Sequence, residues 1–512
     1  MRNLFRLLCV CALGVVPLVG CSETAGTGGS GGTGGTGGVG GDGGTGGSGG
    51  IGGDGGTGGM PECQGPEDCD DHEECTTDTC VSGVCENTAV ENGTACDESN
   101  ECAVGQCASG ACESRPVPDG TRCAEGRGGC YGGLCNFVPV TVSVGPKEVV
   151  FDWTTDRCED LDLPDNEAHP VRAEDGSLVL FSNNGPTNYV FRGPDFDALE
   201  RDCESPALVS ADSRSPETYE NWEWLWSPYR QGASWHMLIH NEFHDTLSPT
   251  CDVGNPAPGN PCWYNSITYA VSTDGGRTFV KPSPPAHVVA PQPNVWTPPP
   301  PYWPSGPVYV EGYMNPSNIV RGPDDNYYYA MIRSVPTIFT TFHDWCPMRT
   351  DTLSDPSSWR AWDGTGFNLH MQDPYVTEDP IALCATLHQS FEGSITATIT
   401  FNTYLQRYML VMSDQPLDGE EVCGLYFALS TDLIHWSDRQ LLTAAETLFC
   451  HNPLPPELLE PVEVQYPSLI DHADSTTNFE RPGRTPYLYY TRHHGGLHRD
   501  LVRVPMTFTL EE

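Results

Sequence analysis

Basic residues are scarce in this chain. Its 512 residues include 69 Asp and Glu against 25 Lys and Arg, a formal charge of −44. A field of that sign repels phosphate backbones and anionic lipid surfaces, which excludes nucleic acid as a partner. Long apolar runs are few as well: beyond the N-terminus none is long enough for a membrane helix. There is no glycine-rich phosphate loop and no G-x-S-x-G nucleophile turn. From about Val138 onward long helical periodicity is missing. Between Cys63 and Cys135 large apolar residues are almost missing too. Such a stretch cannot bury a core and has to be cross-linked instead.

What is present begins with an export signal. Arg2 and Arg6 precede an apolar run, Leu7 to Val19, that is too short to span a bilayer permanently. The following Leu18-Val19-Gly20-Cys21 resembles the lipobox of bacterial lipoproteins. The resemblance implies acylation of Cys21. With Ser22 next, it implies an outer-membrane lipoprotein of the cell envelope facing the exterior, so the membrane is a partner through the lipid alone. From Gly28 to Met60 the chain repeats Gly-Gly-X without the imino acids that collagen requires. This is a flexible coil reaching roughly 30–35 Å. The expected segments are a signal peptide and lipobox (1–21), a linker (22–60), a Cys-rich module (61–137) and a large C-terminal domain (138–512).

Of the 23 cysteines, Cys9 and Cys11 leave with the signal and Cys21 takes lipid. Twelve lie between Cys63 and Cys135 and eight between Cys158 and Cys450. Even numbers in an exported protein point to disulfides throughout. The first set repeats: Cys69, Cys75, Cys80 and Cys85 recur 27 residues later as Cys96, Cys102, Cys107 and Cys112. The C-x4-C spacing does not match the C-x2-C pairs of zinc ribbons. The module resembles cysteine-rich repeats of bacterial surface proteins, which implies a spacer or a partner-binding stalk.

Beyond Val138 short runs rich in aromatic and β-branched residues alternate with Gly, Pro, Asn and Asp: "SLVLFSN", "WHMLIHN", "SITYAVS", "NYYYAMIRS", "YMLVMS", "YLYYTRH". A phrase of strand, turn and aromatic strand occurs five times, starting near 165, 221, 315, 392 and 466. The expected fold is therefore all-β, a five-bladed β-propeller preceded by a small disulfide-rich repeat module. "STDGGRTF" (272–279) looks like the Asp-box turn of sialidases, a structural turn at a blade rim. "ALSTDLIHW" (428–436) and "EGSITATITFNTYLQRYMLVMS" (392–413) resemble phrases of the arabinanase, xylosidase and invertase group of five-bladed propeller glycosidases.

"LIHNEFH" (238–244) looks at first like a zinc-peptidase motif, but that helix needs H-E-x-x-H. On a strand, alternate residues share a face, so His240, Glu242 and His244 point together. Three ionisable groups on one face need water, partners or metal; Ca²⁺ or Zn²⁺ is one occupant, and no other cofactor is implied. In a propeller the starts of first strands and the ends of second strands meet on one side. That adds Asp165, Glu223, Asn315 and Glu392 from starts, and Arg333, Arg492 and His493 from ends, with Trp222, Trp224, Trp226 and Tyr404 as sugar-stacking rings. Hydrolysis of a glycosidic bond needs two carboxyl groups across it. The resemblance implies Asp165 as base and Glu392 as acid. It also implies a third acid at the start of blade three, where this chain has Asn315 and Glu242 is the substitute. The expected function is cleavage of an extracellular glycan. A non-catalytic carbohydrate- or protein-binding propeller is the alternative, and a third reading makes the Cys-rich repeats the working part.

Overall fold

The computed structural model describes residues 63–511 apart from 97–99, 246–250, 252–261, 292–293, 299–308, 323–325, 336–343, 378–380, 388–395, 415–421 and 448–462. Glu392 and Cys21 lie outside the described residues. The described chain divides into two compact units, one of residues 63–96 with 105–113 and one of residues 100–104 with 114–511.

The smaller unit contains the hairpin of Thr76–Val81 with Val84–Ala89. It is stapled by Cys63–Cys80, Cys69–Cys85, Cys75–Cys107 and Cys96–Cys112. Closing loops of this length is worth about 3 kcal/mol each, in place of a core. In the larger unit, Cys102–Cys130 and Cys123–Cys135 hold the third repeat. That repeat packs on a β-sheet of the same unit. The Arg407 guanidinium donates to the Cys135 carbonyl at 2.7 Å, Asn136 Nδ2 donates to the His435 carbonyl, and the Tyr131 ring stacks on His435. Every cysteine from Cys63 to Cys423 is oxidised.

Five antiparallel sets of strands follow, the second and third joined into one nine-stranded sheet by the parallel pairing of Cys262–Asn265 with Tyr309–Gly312. The first comprises His169–Arg172, Leu178–Phe181, Phe191–Gly193 and Glu200–Arg201. The second comprises Trp222–Gln231, Ser234–His244, Cys262–Ser272 and Val288–Ala290. The third comprises Tyr309–Met314 and Val320–Arg321 against Tyr328–Val335, then Asp344–Thr350 and Arg360–Ala361. The fourth comprises Ala397–Asn402, Arg407–Asp414, Gly424–Ser430 and Gln440–Ala444. The fifth comprises Glu463–Ile470, Tyr487–Gly495, His498–Leu510 and, from the other end of the chain, Glu148–Phe151.

Apolar clusters bind these sheets in cyclic order. Val179 and Phe181 pack with Met237 and Ile239 of the next sheet. Leu238 and Ile267 pack with Ala330 and Ile332, and Met331 and Trp345 pack with Ile399 and Leu410. Val411 and Phe427 pack with Leu488 and Val502, and Tyr489 and Leu501 pack with Leu178 and Phe191. The ring closes, and the five sheets are the blades of a propeller. Closure is non-sequential: Phe151, fully buried, pairs with Leu501 and brings the N-terminal strand into the last blade.

The two turns singled out in the sequence join third to fourth strands. The Asp274 carboxylate accepts from the Arg277 and Thr278 amides, and Asp432 accepts from those of Ile434 and His435. Gly276 has φ +73°, and a Cβ there would lie 2.9 Å from the Trp235 ring, so only glycine fits.

Replacing Phe151 by Ala tests the closure. The ring packs edge-on against Phe191 in the seam between last and first blades. A loss of about 3–5 kcal/mol in urea unfolding is expected. A loss under about 1 kcal/mol would show that the seam does not rest on this strand.

Candidate active site

The second blade supplies most of the site. Its first two strands pair Trp222 with Glu242 and Trp224 with His240. Alternation then puts these side chains on one face. Glu242 Oε2 accepts from His244 Nε2 at 2.8 Å, and His240 Nε2 lies 3.6 Å from Glu242 Oε1. Trp222 lies 4.9 Å from the His244 ring, and Trp224 and Trp226 flank His240 at 5.7 and 5.1 Å.

From Trp226 the cluster continues into other blades. Its ring meets Tyr466 of the fifth blade edge-on at 6.4 Å, and His493 lies 6.2 Å from Tyr466. The Tyr466 hydroxyl donates to Asp165 Oδ1 at 2.9 Å, and Arg499 Nη1 pairs with the same oxygen. The other oxygen, Oδ2, carries no hydrogen bond among the described residues, and the Asp165 side chain is 19 % exposed. One connected cluster therefore runs from Asp165 through Tyr466, Trp226 and His240 to Glu242 and His244.

Burial sets much of the electrostatics. It lowers the His240 pKa and pulls His493 down to about 4, so both rings are neutral near pH 7. Burial pushes the Glu242 carboxyl up, but the hydrogen bond from His244 and, in the acid range where both imidazoles take a proton, their positive charges outweigh it and hold it below its ordinary value. The Asn265 amide donates to the Glu311 carbonyl, which turns its oxygen toward His240 Nε2 at 3.2 Å. That orientation assigns the proton to Nε2 and leaves the buried Nδ1 as an acceptor. Two imidazoles and one carboxylate do not make a Ca²⁺ site, which takes 6–8 oxygens.

The structure does not bring every expected residue here. Glu223 pairs with Asn241, so it faces away from Trp222 and Trp224. Its carboxylate is buried and closed by Lys281 Nζ at 2.8 and 2.9 Å. Tyr404 sits in the turn between the first two strands of the fourth blade, under the Arg484 guanidinium. That is the opposite end of the strand from the site. Arg333, in the third blade, is buried with Nη1 3.7 Å from Met314 Sδ, and Asn315 follows Met314 with φ 46°. Arg492 adjoins His493 and pairs with Val464. A cavity of about 590 Å³ also lies at the opposite end, among Tyr229, Arg230, Arg321 and Arg481. Its one carboxyl, Glu480, is taken by the Arg321 amide and the Tyr229 hydroxyl.

Three residues escaped the sequence reading. Tyr466 and Arg499 reach Asp165 from the first and third strands of the fifth blade. Glu167 is fully buried beside Trp226, and burial raises its pKa from 4.5 to about 8. Its spacing of two from Asp165 was the available signal.

An all-β propeller with an acid- and aromatic-lined mouth is thus defined by the coordinates. No family model and no curated protein matches the chain. Among solved structures it is similar to a protein of unknown function from Dyadobacter fermentans, with TM-score 0.41 and 9 % identity over 72 % of this chain and 99 % of that one. It is similar to the endo-arabinase from Bacteroides thetaiotaomicron, with TM-score 0.38 and 10 % identity over 70 % and 97 %. It is also similar to a GH43_1 enzyme from Xanthomonas citri complexed with xylotriose, with TM-score 0.39 and 13 % identity over 70 % and 90 %.

Glu167 makes a pH prediction. Its folded pKa of about 8 lies above the ordinary 4.5, so the fold prefers the protonated form. Below pH 4.5 this costs nothing. Between 4.5 and 8 the cost grows by about 1.4 kcal/mol per pH unit, then levels off. Melting curves should show the wild type losing stability relative to Glu167→Gln from pH 5 to 8. Parallel curves would mean that Glu167 is solvated.

Proposed function

We propose that the propeller is a glycoside hydrolase acting on a glycan outside the cell. In this reading Cys21 anchors the chain to the outer membrane, residues 22–60 are a tether, 61–137 a spacer and 138–512 the catalytic propeller. The observation that carries it is the convergence of Asp165, His240, Glu242 and His244 with Trp222, Trp226 and Tyr466 from three blades into one cluster. Indole and phenol faces stack on sugar rings, and carboxylates and imidazoles bind hydroxyls.

Hydrolysis needs a base that activates water and an acid that protonates the leaving oxygen. Asp165 is the base. Arg499 and Tyr466 fix its Oδ1, and Oδ2 is left to accept a proton from water. Glu392 is the acid. Glu242 is the third carboxylate, and His240, His244, Trp222 and His493 contact the sugar. One observation favours a binding-only propeller instead. Glu242 is engaged by His244, and the third blade opens on Asn315 rather than on an acid.

Aryl glycosides and polysaccharides decide between the two. Asp165→Asn and Glu392→Gln should each lower kcat by about 10²–10⁴-fold with the fold intact by circular dichroism. Unchanged activity in both would overturn the assignment. Glycan binding without product from the wild type would establish the binding reading. Cys21→Ser should move the protein from the membrane fraction to the soluble one; retention in membranes would overturn the anchor.

A further inference from the structure

The hairpin that carries Arg499 has a second face. Tyr487–Gly495 and His498–Leu510 are joined by a turn through Gly495 and Gly496, both at positive φ. His493 pairs with Arg499 and Gly495 with His498, so the register slips at His494. A bulge of this kind re-aims one side chain. Here His493 lies against Tyr466 and Arg499 reaches Asp165, whereas His494 joins His498 and Asp500. His498 and Asp500 share a face because they are two residues apart, with Arg499 on the other.

His494 Nε2 lies 2.7 Å from Asp500 Oδ2, and His498 Nε2 lies 3.3 Å from Asp500 Oδ1. The two imidazoles stack with centroids 4.2 Å apart, both presenting Nε2 to one carboxylate. The three ligand atoms all lie within 4.8 Å of one another. Among the described residues no other trio meets this criterion except disulfide cysteines. Asp500 is only 6 % exposed and accepts the Trp153 amide at 3.1 Å, and the Trp153 ring covers His498. These contacts orient the ligands as outer-shell groups do in metal sites. His494 is exposed and leaves an entry path.

We propose that His494, His498 and Asp500 form a Zn²⁺ site. Tetrahedral zinc places ligands about 2.0–2.2 Å from the ion, so neighbouring ligand atoms sit roughly 3.3 Å apart, near the spacing of this preformed trio. Imidazole with carboxylate suits zinc, whereas Ca²⁺ and Mg²⁺ take oxygen sets. The fourth position faces solvent and takes water. The ion clips the two strands outside the turn, and in doing so fixes the register that aims Arg499 at Asp165. The site does not depend on the propeller being a hydrolase.

The test uses the mature chain dialysed against chelator and titrated with ZnCl2 by calorimetry, with Co²⁺ absorption as a second readout. One equivalent should bind, Co²⁺ should show tetrahedral d–d bands, and the melting temperature should rise. His494→Ala, on an exposed residue that leaves the core untouched, and His498→Ala should each weaken binding by at least about 100-fold, more than loss of an outer-shell partner. Glu242→Gln and His244→Ala should leave it unchanged. Absence of a stoichiometric site overturns the proposal. So does binding that survives His494→Ala and His498→Ala, or that is lost in His244→Ala instead.

Discussion

The innermost strands of five twisted sheets diverge around a ring and cannot share backbone ladders all the way round. Each inner backbone group left bare would cost about 1–3 kcal/mol. Short side chains fill the gaps. Asn166 and Asn183 donate to the Leu225 carbonyl, and Asn188 donates to that of Glu223. Ser227 donates to the Ser317 carbonyl, Asn318 exchanges bonds with both backbone groups of Ile399, and Thr398 donates to Pro467. The stitching also sets the site. Asn166 lies between Asp165 and Glu167, and the carbonyl it holds belongs to Leu225, between Trp224 and Trp226. An amide of fixed reach thus places Glu167 of one blade beside Trp226 of the next.

Several of the few cations work inside. Arg201 is buried on Asp162 at 2.7 Å and lies over the Phe191 ring, and Arg503 pairs with Glu148 and Asp197 near the closing strand. A pair so deeply desolvated contributes position more than net stability. Because Arg499, Arg201 and Arg503 are all engaged with acids, they neutralise charge locally and leave the overall field strongly negative. That field opposes a polyanionic ligand at the mouth and leaves neutral, hydroxyl-rich ligands unaffected.

The repeated strand–turn–strand phrase was legible because turn residues and aromatic runs are local signals. The His240, Glu242, His244 face was legible because strand period is two. The same rule shows why Glu223 was misplaced: flanked by Trp222 and Trp224, it has to face the other way, toward Lys281. Tyr404 was misplaced because a hairpin turn lies at the far end of the strand whose start was being read. Arg499 and Tyr466 were not legible. Their approach to Asp165 spans more than 300 residues and depends on ring closure by Phe151, which no local pattern encodes. The bulge at His494 is invisible for a related reason, since a slip of register exists only relative to a partner strand.

Asp165 and Glu242 differ in a way that matters for chemistry. A carboxylate offers about four acceptor positions on two oxygens. Glu242 meets an imidazole at each oxygen, one hydrogen-bonded and one at 3.6 Å, so its charge is spread over groups already in place. Asp165 takes both partners on Oδ1. Its other oxygen carries no hydrogen bond among the described residues. An acid that only capped a turn would spend both oxygens on groups of its own turn, as Asp274 does on the Thr278 amide and hydroxyl and Asp363 on the Gly366 amide and the Asn368 side chain. The grip on Asp165 is instead one-sided: a phenol and a guanidinium from another blade both meet Oδ1.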